Sequence, residues 1–270
     1  MQIVGYDRID GGLLLSDASG SADDVPADGG TDVDAGADAD SRPVEYVSLD
    51  PGADLDYRLG DRHCAGVVTD EGHRPCGADD APHCSAHAST WVCARCTGTC
   101  LKDEMDCFDD HAVYLAAFAP DTFKVGVTKV DRLETRLREQ GADRGAHVRT
   151  VDNGRIAREI EAELAREIPD RVRVPTKRAG LGRSVDADAW NAVLADFTPI
   201  ETFAFDYGLS LADRPVAETL ATGRVRGVKG RLLVLDHGGS VYAVDLRDLV
   251  GYEVTAGGTD RHLQSSLGAF

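Results

Sequence analysis

Short β-type runs alternate along this chain with three helical stripes. Near the start, "QIVGY" and "GLLLS" are brief apolar runs split by Asp-Gly-Gly, which predicts a strand pair within residues 1–15. "VEYVSL" and "LDYRL" alternate apolar with polar positions and resume the sheet. "HAVYLAAF" (111–118) and "TFKVGVT" (122–128), joined by Ala-Pro-Asp, predict a second hairpin. The period then changes. Val130, Leu133 and Leu137 mark a helix over about 131–140, stopped by Gly141. Ile156, Ile160 and Leu164 mark a second, with Asn153 as its cap and Pro169 just past its end. A third, about 186–197, buries Trp190, Val193, Leu194 and Phe197. "ETFAFDY", "RVRGVKGRLLVLD", "SVYAVDL" and "YEVT" return to strands, with Gly238-Gly239 as a further hairpin turn.

"VGYDRIDGGLLLSD" and "VRGVKGRLLVLD" are weakly alike, so both termini are expected to build one small antiparallel β-sheet or barrel, with the helical part inserted between them. The expectation is an α+β chain in four stretches: an N-terminal β segment (1–62), a cysteine-rich segment (63–110), an αβ core (111–200) and a C-terminal β segment (201–270). Asp17 to Asp40 holds eight aspartates and no Lys or Arg, so residues 17–42 read as a disordered acidic insertion. Asp32, Asp34 and Asp38 imitate part of a calcium loop, but the closing glutamate is missing.

With 270 residues, 42% of them hydrophobic, the chain can bury a real core. It shows neither a secretory leader nor a run long enough to cross a membrane, so the expected location is cytoplasmic, where thiols stay reduced. Seven cysteines, an odd number, also fit a complete disulfide framework poorly.

The cysteines instead divide as metal ligands. Cys84-x2-His87 and Cys93-x2-Cys96 are the short knuckles that let two side chains share one tetrahedral zinc. Cys64, Cys76, Cys84 and His87 form one set, and Cys93, Cys96, Cys100 and Cys107 a second, with no cysteine left over. His63, His73, His83 and His111 remain as possible substitutes. Closed four-ligand sets leave no position for water, so two structural zinc ions are expected, folding a segment poor in apolar residues.

The net charge is −18, and the Asp, Glu, Ala, Val and Gly content with few lysines resembles the surface of proteins from halophilic archaea. The charge is uneven. Residues 124–178 hold fourteen Lys/Arg against ten Asp/Glu, a net of +4, which leaves −22 for the other 215 residues. One segment is basic against an acidic background, and nucleic acid, DNA or RNA, is its expected partner.

The chain as a whole resembles the family filed as domain of unknown function 2797. The resemblance lies in "CAG", the cysteine block, "HAVYLA", "KVGVTK", "REQGA" and "GVKGRLLV", and that family brings no established activity. More distantly, residues 111–164 resemble the GIY-YIG nuclease superfamily. "AVY" (112–114) stands at its first motif and "KVG" (124–126) at its second, followed by Arg136 on one helix and Glu161 on the next. The chain departs from that pattern in Ala112 for glycine, in Lys124 for the second tyrosine, and in lacking a clear late asparagine.

The superfamily resemblance implies a small αβ core and phosphodiester chemistry. Tyr114 would orient or deprotonate water, Arg136 would hold the scissile phosphate, Glu161 would bind one Mg ion, and Lys124 would contact phosphate. Lys129, Arg132 and Arg136 would face the nucleic acid. Ordinary structural roles stand beside these: a sheet-face tyrosine, a salt-bridged arginine, and one glutamate among Glu159, Glu163 and Glu167. Two functions follow, a zinc-stabilised Mg-dependent phosphodiesterase or a non-catalytic zinc-containing protein that binds RNA or DNA.

Overall fold

The computed structural model describes residues 1–17, 41–88, 108–212, 214–259 and 263. The chain begins with β1 (Gln2–Asp7), β2 (Gly12–Ser16), β3 (Val44–Ser48), β4 (Asp54–Arg62), β5 (Val67–Thr69) and β6 (Gly72–Arg74). A central stretch follows: β7 (His111–Phe118), β8 (Thr122–Lys129), a 3-10 turn (Val130–Arg132), α1 (Leu133–Gln140), β9 (Arg144–Val151), α2 (Gly154–Leu164), α3 (Val174–Ala179), α4 (Ala187–Leu194) and β10 (Glu201–Ala204). The chain continues through β11 (Val216–Ala217), β12 (Ala221–Lys229), β13 (Leu232–His237), β14 (Ser240–Asp245), α5 (Leu246–Leu249) and β15 (Tyr252–Ala256). It is a mixed α+β protein, rich in sheet. Among the described residues no helix is long and apolar enough to cross a membrane.

Strands from both ends do share one sheet, and it is larger than the sequence suggests. Nine strands lie in the order β11-β14-β13-β12-β4-β15-β1-β2-β3, antiparallel except where β11 meets β14. Ile3, Leu13 and Leu15 from the first hairpin pack with Leu233, Leu235, Val244 and Val254 from the last strands. The second sheet, β10-β9-β7-β8, is built round β7.

β7 is buried at every one of its residues, and its alternation feeds two cores. Val113, Leu115 and Ala117 pack with Ala157 of α2 and Trp190 of α4. Ala112, Tyr114, Ala116 and Phe118 pack with Leu133 and Leu137 of α1. Helices therefore cover both faces, which explains why "HAVYLAAF" reads as a continuous apolar run.

Several expectations need correction. On α2 the buried positions are Gly154 and Ala157, while Ile156 is 39% exposed, because steps of four residues drift round the helix and carry the first member of the stripe off the buried face. Val130 is likewise exposed. Residues 17–42 are not a free insertion at their ends: Arg42 exchanges backbone hydrogen bonds with His73, and its guanidinium donates to the Asp17 carbonyl. Residues 18–40 lie outside the described residues. "ETFA" pairs with β9 instead of joining the terminal sheet. β9 and α3 were not foreseen. β9 carries Gly, His and two Arg without a clean alternation, yet it is the strand between β7 and β10.

The pairing of β7 with β8 sets Tyr114 opposite Gly126. A Cβ on Gly126 would stand 2.5 Å from both the ring carbon Cζ and the hydroxyl of Tyr114, so the tyrosine ring covers this glycine of "KVG". Gly126→Ala should destabilise the fold by about 1–3 kcal/mol through overpacking. Chemical denaturation checks this, and an unchanged midpoint would show that the ring is not held there.

Candidate functional site

Cys64 follows β4, Cys76 follows β6, and Cys84 and His87 sit on the next turn. Their ligand atoms all lie within 4.8 Å of one another. Cys64 Sγ and Cys84 Sγ are each 3.4 Å from His87 Nδ1, and Cys76 Sγ is 3.9 Å from Cys84 Sγ. Bond lengths of about 2.3 Å to sulfur and 2.0–2.1 Å to nitrogen in a tetrahedron place ligand atoms about 3.8 Å (S to S) and 3.5 Å (S to N) apart. The observed spacings fit that tetrahedron, so this cluster could hold one zinc. The three cysteines are free thiols.

The surroundings prepare the donors. Burial opposes ionisation of Cys84, but the N–H groups of His87 and Ala86 and the neighbouring Cys64 and His87 side chains bring its thiol down to about 7. Burial pushes the Cys64 thiol up instead. Backbone bonds from Cys64 N to Ala78 O and from Ala65 N to Pro82 O fold the ligand loops together. The buried amide of Gln2 donates to the carbonyls of Cys64 and Gly251, tying the cluster to β1 and β15. Gly66 of "CAG" has φ +60°, and a Cβ there would lie 2.0 Å from the Arg74 carbonyl, so only glycine passes.

The other histidines fall outside this set. His63 approaches the carbonyls of Cys64 and Cys76 at 3.2 Å. His73 is fully buried, with Nε2 on the Ala65 carbonyl, and burial lowers its pKa. Burial also lowers that of His83. His111 opens β7 and holds the Asp109 carbonyl with Nδ1 at 2.7 Å. The second ligand set, Cys93, Cys96, Cys100 and Cys107, lies outside the described residues.

A second cluster surrounds Tyr114. Lys124 pairs with Ala116 in the β7–β8 ladder, so Lys124 and Tyr114 share the face covered by α1. The Tyr114 hydroxyl accepts from Gln140 Nε2 at 2.5 Å and lies within reach of the Arg136 guanidinium. Burial pushes the Tyr114 pKa up, so it is a phenol at neutral pH. Burial pulls Lys124 down to about 8, against the attraction of Glu161. Glu161 belongs to α2, which packs on the other face, yet it acts on both Tyr114 and Lys124 because β8 is the edge strand. One of its oxygens accepts from Arg158 at 2.6 Å.

Glu139 is the local anchor. Its nearly buried carboxylate lies 3.0 Å from Arg136, 3.2 Å from Arg132 and 3.8 Å from Arg8 in the turn between β1 and β2. Lys129 pairs with Asp109. In the basic C-terminal strand region Arg226, Lys229 and Arg231 are each paired, with Asp236, Asp143 and Asp245. Gln140, Glu139 and Lys177 are cluster members that motif spacing did not single out. Only "REQGA", with its glutamate and glutamine one turn past Arg136, hinted at the first two.

The fold and its ligand cluster define a mixed α+β protein with a zinc-type centre of three thiols and one imidazole. The chain belongs to the family described as protein of unknown function (DUF2797), whose model matches residues 74–254. No curated protein and no solved structure matches it.

A variant with Cys93, Cys96, Cys100 and Cys107 all replaced by serine should retain about one zinc per chain by plasma emission spectroscopy, and adding Cys84→Ser should remove it. Retention of that zinc after Cys84→Ser would contradict the assigned ligand set.

Proposed function

We propose that this is a zinc-stabilised protein that acts on nucleic acid, gripping backbone phosphate in the Tyr114 cleft and cleaving the phosphodiester with a divalent ion. The observation that carries this reading is the proximity of Tyr114, Lys124, Arg136 and Glu161, supplied by two adjacent strands and two helices. The order of those elements is also that of the motifs that carry the GIY-YIG resemblance.

Each residue has a role suited to its surroundings. Arg136 stays charged between the Tyr114 hydroxyl and Glu139 and is 42% exposed, so it can present N–H donors to a phosphate as charge develops. Tyr114, held as a phenol and fixed by Gln140, orients rather than deprotonates the attacking water. Lys124 adds a half-buried ammonium beside it. Among the described residues the His, Cys, Asp and Glu clusters of metal-binding size are confined to the zinc-type centre. A Mg ion at Glu161 would therefore find one protein carboxylate and take its other oxygens from substrate and water, a common arrangement for Mg. When bound it would polarise the phosphate and the leaving oxygen.

Two observations favour the second reading, binding without cleavage. The Tyr114 side chain is almost fully buried, and Arg158 already engages the carboxylate of Glu161.

Glu161→Gln should abolish Mg-dependent cleavage of a labelled oligonucleotide while leaving its binding nearly intact. Arg136→Ala should weaken binding and lower cleavage roughly a hundredfold. If the parent protein cuts neither DNA nor RNA but Arg136→Ala still loses affinity, the binding reading holds. If Arg136→Ala binds like the parent, the cleft is not the contact surface.

A further inference from the structure

Lysine is scarce in this chain. Of twenty-nine Lys and Arg, five are lysine: Lys102, Lys124, Lys129, Lys177 and Lys229. Lys124 and Lys229 both repel the Lys177 ammonium, although the three come from β8, β12 and α3. Lys229 is committed to Asp143 at 2.6 Å. The other two are not paired with a carboxylate at that range among the described residues.

The path of the chain delivers Lys177. After α2 it passes the outer edge of β8, where the Pro169 carbonyl accepts from Val125 N at 2.9 Å. Val172 then packs into the Tyr114 core and α3 begins two residues later. The Lys177 ammonium donates to the Gln140 carbonyl at 2.8 Å and lies 4.5 Å from the centre of the Phe118 ring. Gln140 is also the residue that fixes the Tyr114 hydroxyl. Capping the last carbonyl of α1 accounts for one N–H of the ammonium. It does not account for a second lysine and an arginine gathered beside it.

Resting on the nucleic-acid reading above, we propose that Lys177 is a further phosphate-binding residue of the cleft, completing with Lys124 and Arg136 a three-cation seat for one backbone phosphate. Burial, together with repulsion from Lys124, Arg231 and Arg136, brings the Lys177 ammonium down to about 7. An anion seated there would offset that repulsion and hold the proton.

The test uses the full chain, carbon-13-labelled at lysine, with Lys177 assigned through Lys177→Arg. Its Cε resonance should titrate near neutrality and move up by about one pH unit with saturating inorganic phosphate. Lys177→Gln, checked for native zinc content and circular dichroism, should bind a fluorescent oligonucleotide roughly tenfold more weakly. Its salt dependence should fall by about one released counterion, and Lys177→Arg should recover most of the affinity. A wild-type Lys177 resonance that neither phosphate nor oligonucleotide moves would overturn the seat. So would a Lys177→Gln variant with the parent's affinity and salt slope, and the nucleic-acid reading would then stand without it. If inorganic phosphate shifts Lys177 but the parent binds no oligonucleotide, the seat stands and the nucleic-acid reading falls.

Discussion

Strand β7 has no exposed side, and the rest of the central architecture answers to that. One face must be covered by α2 and α4 and the other by α1, so the two helices that follow the hairpin land on opposite sides of it. Tyr114 lies on the α1 face at a point where pairing with β9 slips between Val113 and Tyr114. Such bulges re-aim side chains. The ring comes to rest on Gly126, and its hydroxyl is turned toward Arg136 and Gln140. Lys124 of β8, Arg136 of α1 and Lys177 of α3 are thereby brought within electrostatic range of one another.

The zinc-type centre meets a different need. Residues 63–88 contribute little apolar mass to the core beyond Cys64, Ala65 and Cys84. A metal held by these four residues would supply what packing cannot, and the Gln2 amide links the ligand loop to the nine-stranded sheet. The β1–β2 turn and β12 of that sheet touch the central elements through Arg8 at Glu139 and Lys229 at Asp143. The overall acidity conceals this arrangement. A chain of net charge −18 still sets Arg132 and Arg136 on Glu139 and Arg158 on Glu161, with Lys124 and Lys177 within electrostatic range of Arg136.

Much of the fold was legible because each periodic run met a matching surface. The two hairpins, the Asn153 cap and the Trp190 helix follow from pattern and punctuation. The first ligand set followed from spacing, since each residue stands on or beside a tight turn. β9 was hidden because a strand enclosed by neighbours tolerates Gly145 and His147, which alone would argue against it. Gly145 is needed there, as a Cβ would strike Leu137 at 2.4 Å. Lys177 was hidden for a different reason. α3 is six residues long and lacks a buried stripe, and tertiary routing past β8 is what brings it to Tyr114. Ile156 shows the converse, a residue with good periodicity that the true helix face excludes.

On the function proposed above, the region round Tyr114 seats a phosphate of a nucleic-acid backbone. The most direct measurement is a crystal structure of the Glu161→Gln variant with a short oligonucleotide. One backbone phosphate should lie within hydrogen-bonding distance of Arg136 and of the Lys124 and Lys177 ammonium groups, with the Tyr114 hydroxyl still fixed by Gln140. An oligonucleotide bound on another face, with solvent alone beside Arg136, would contradict it.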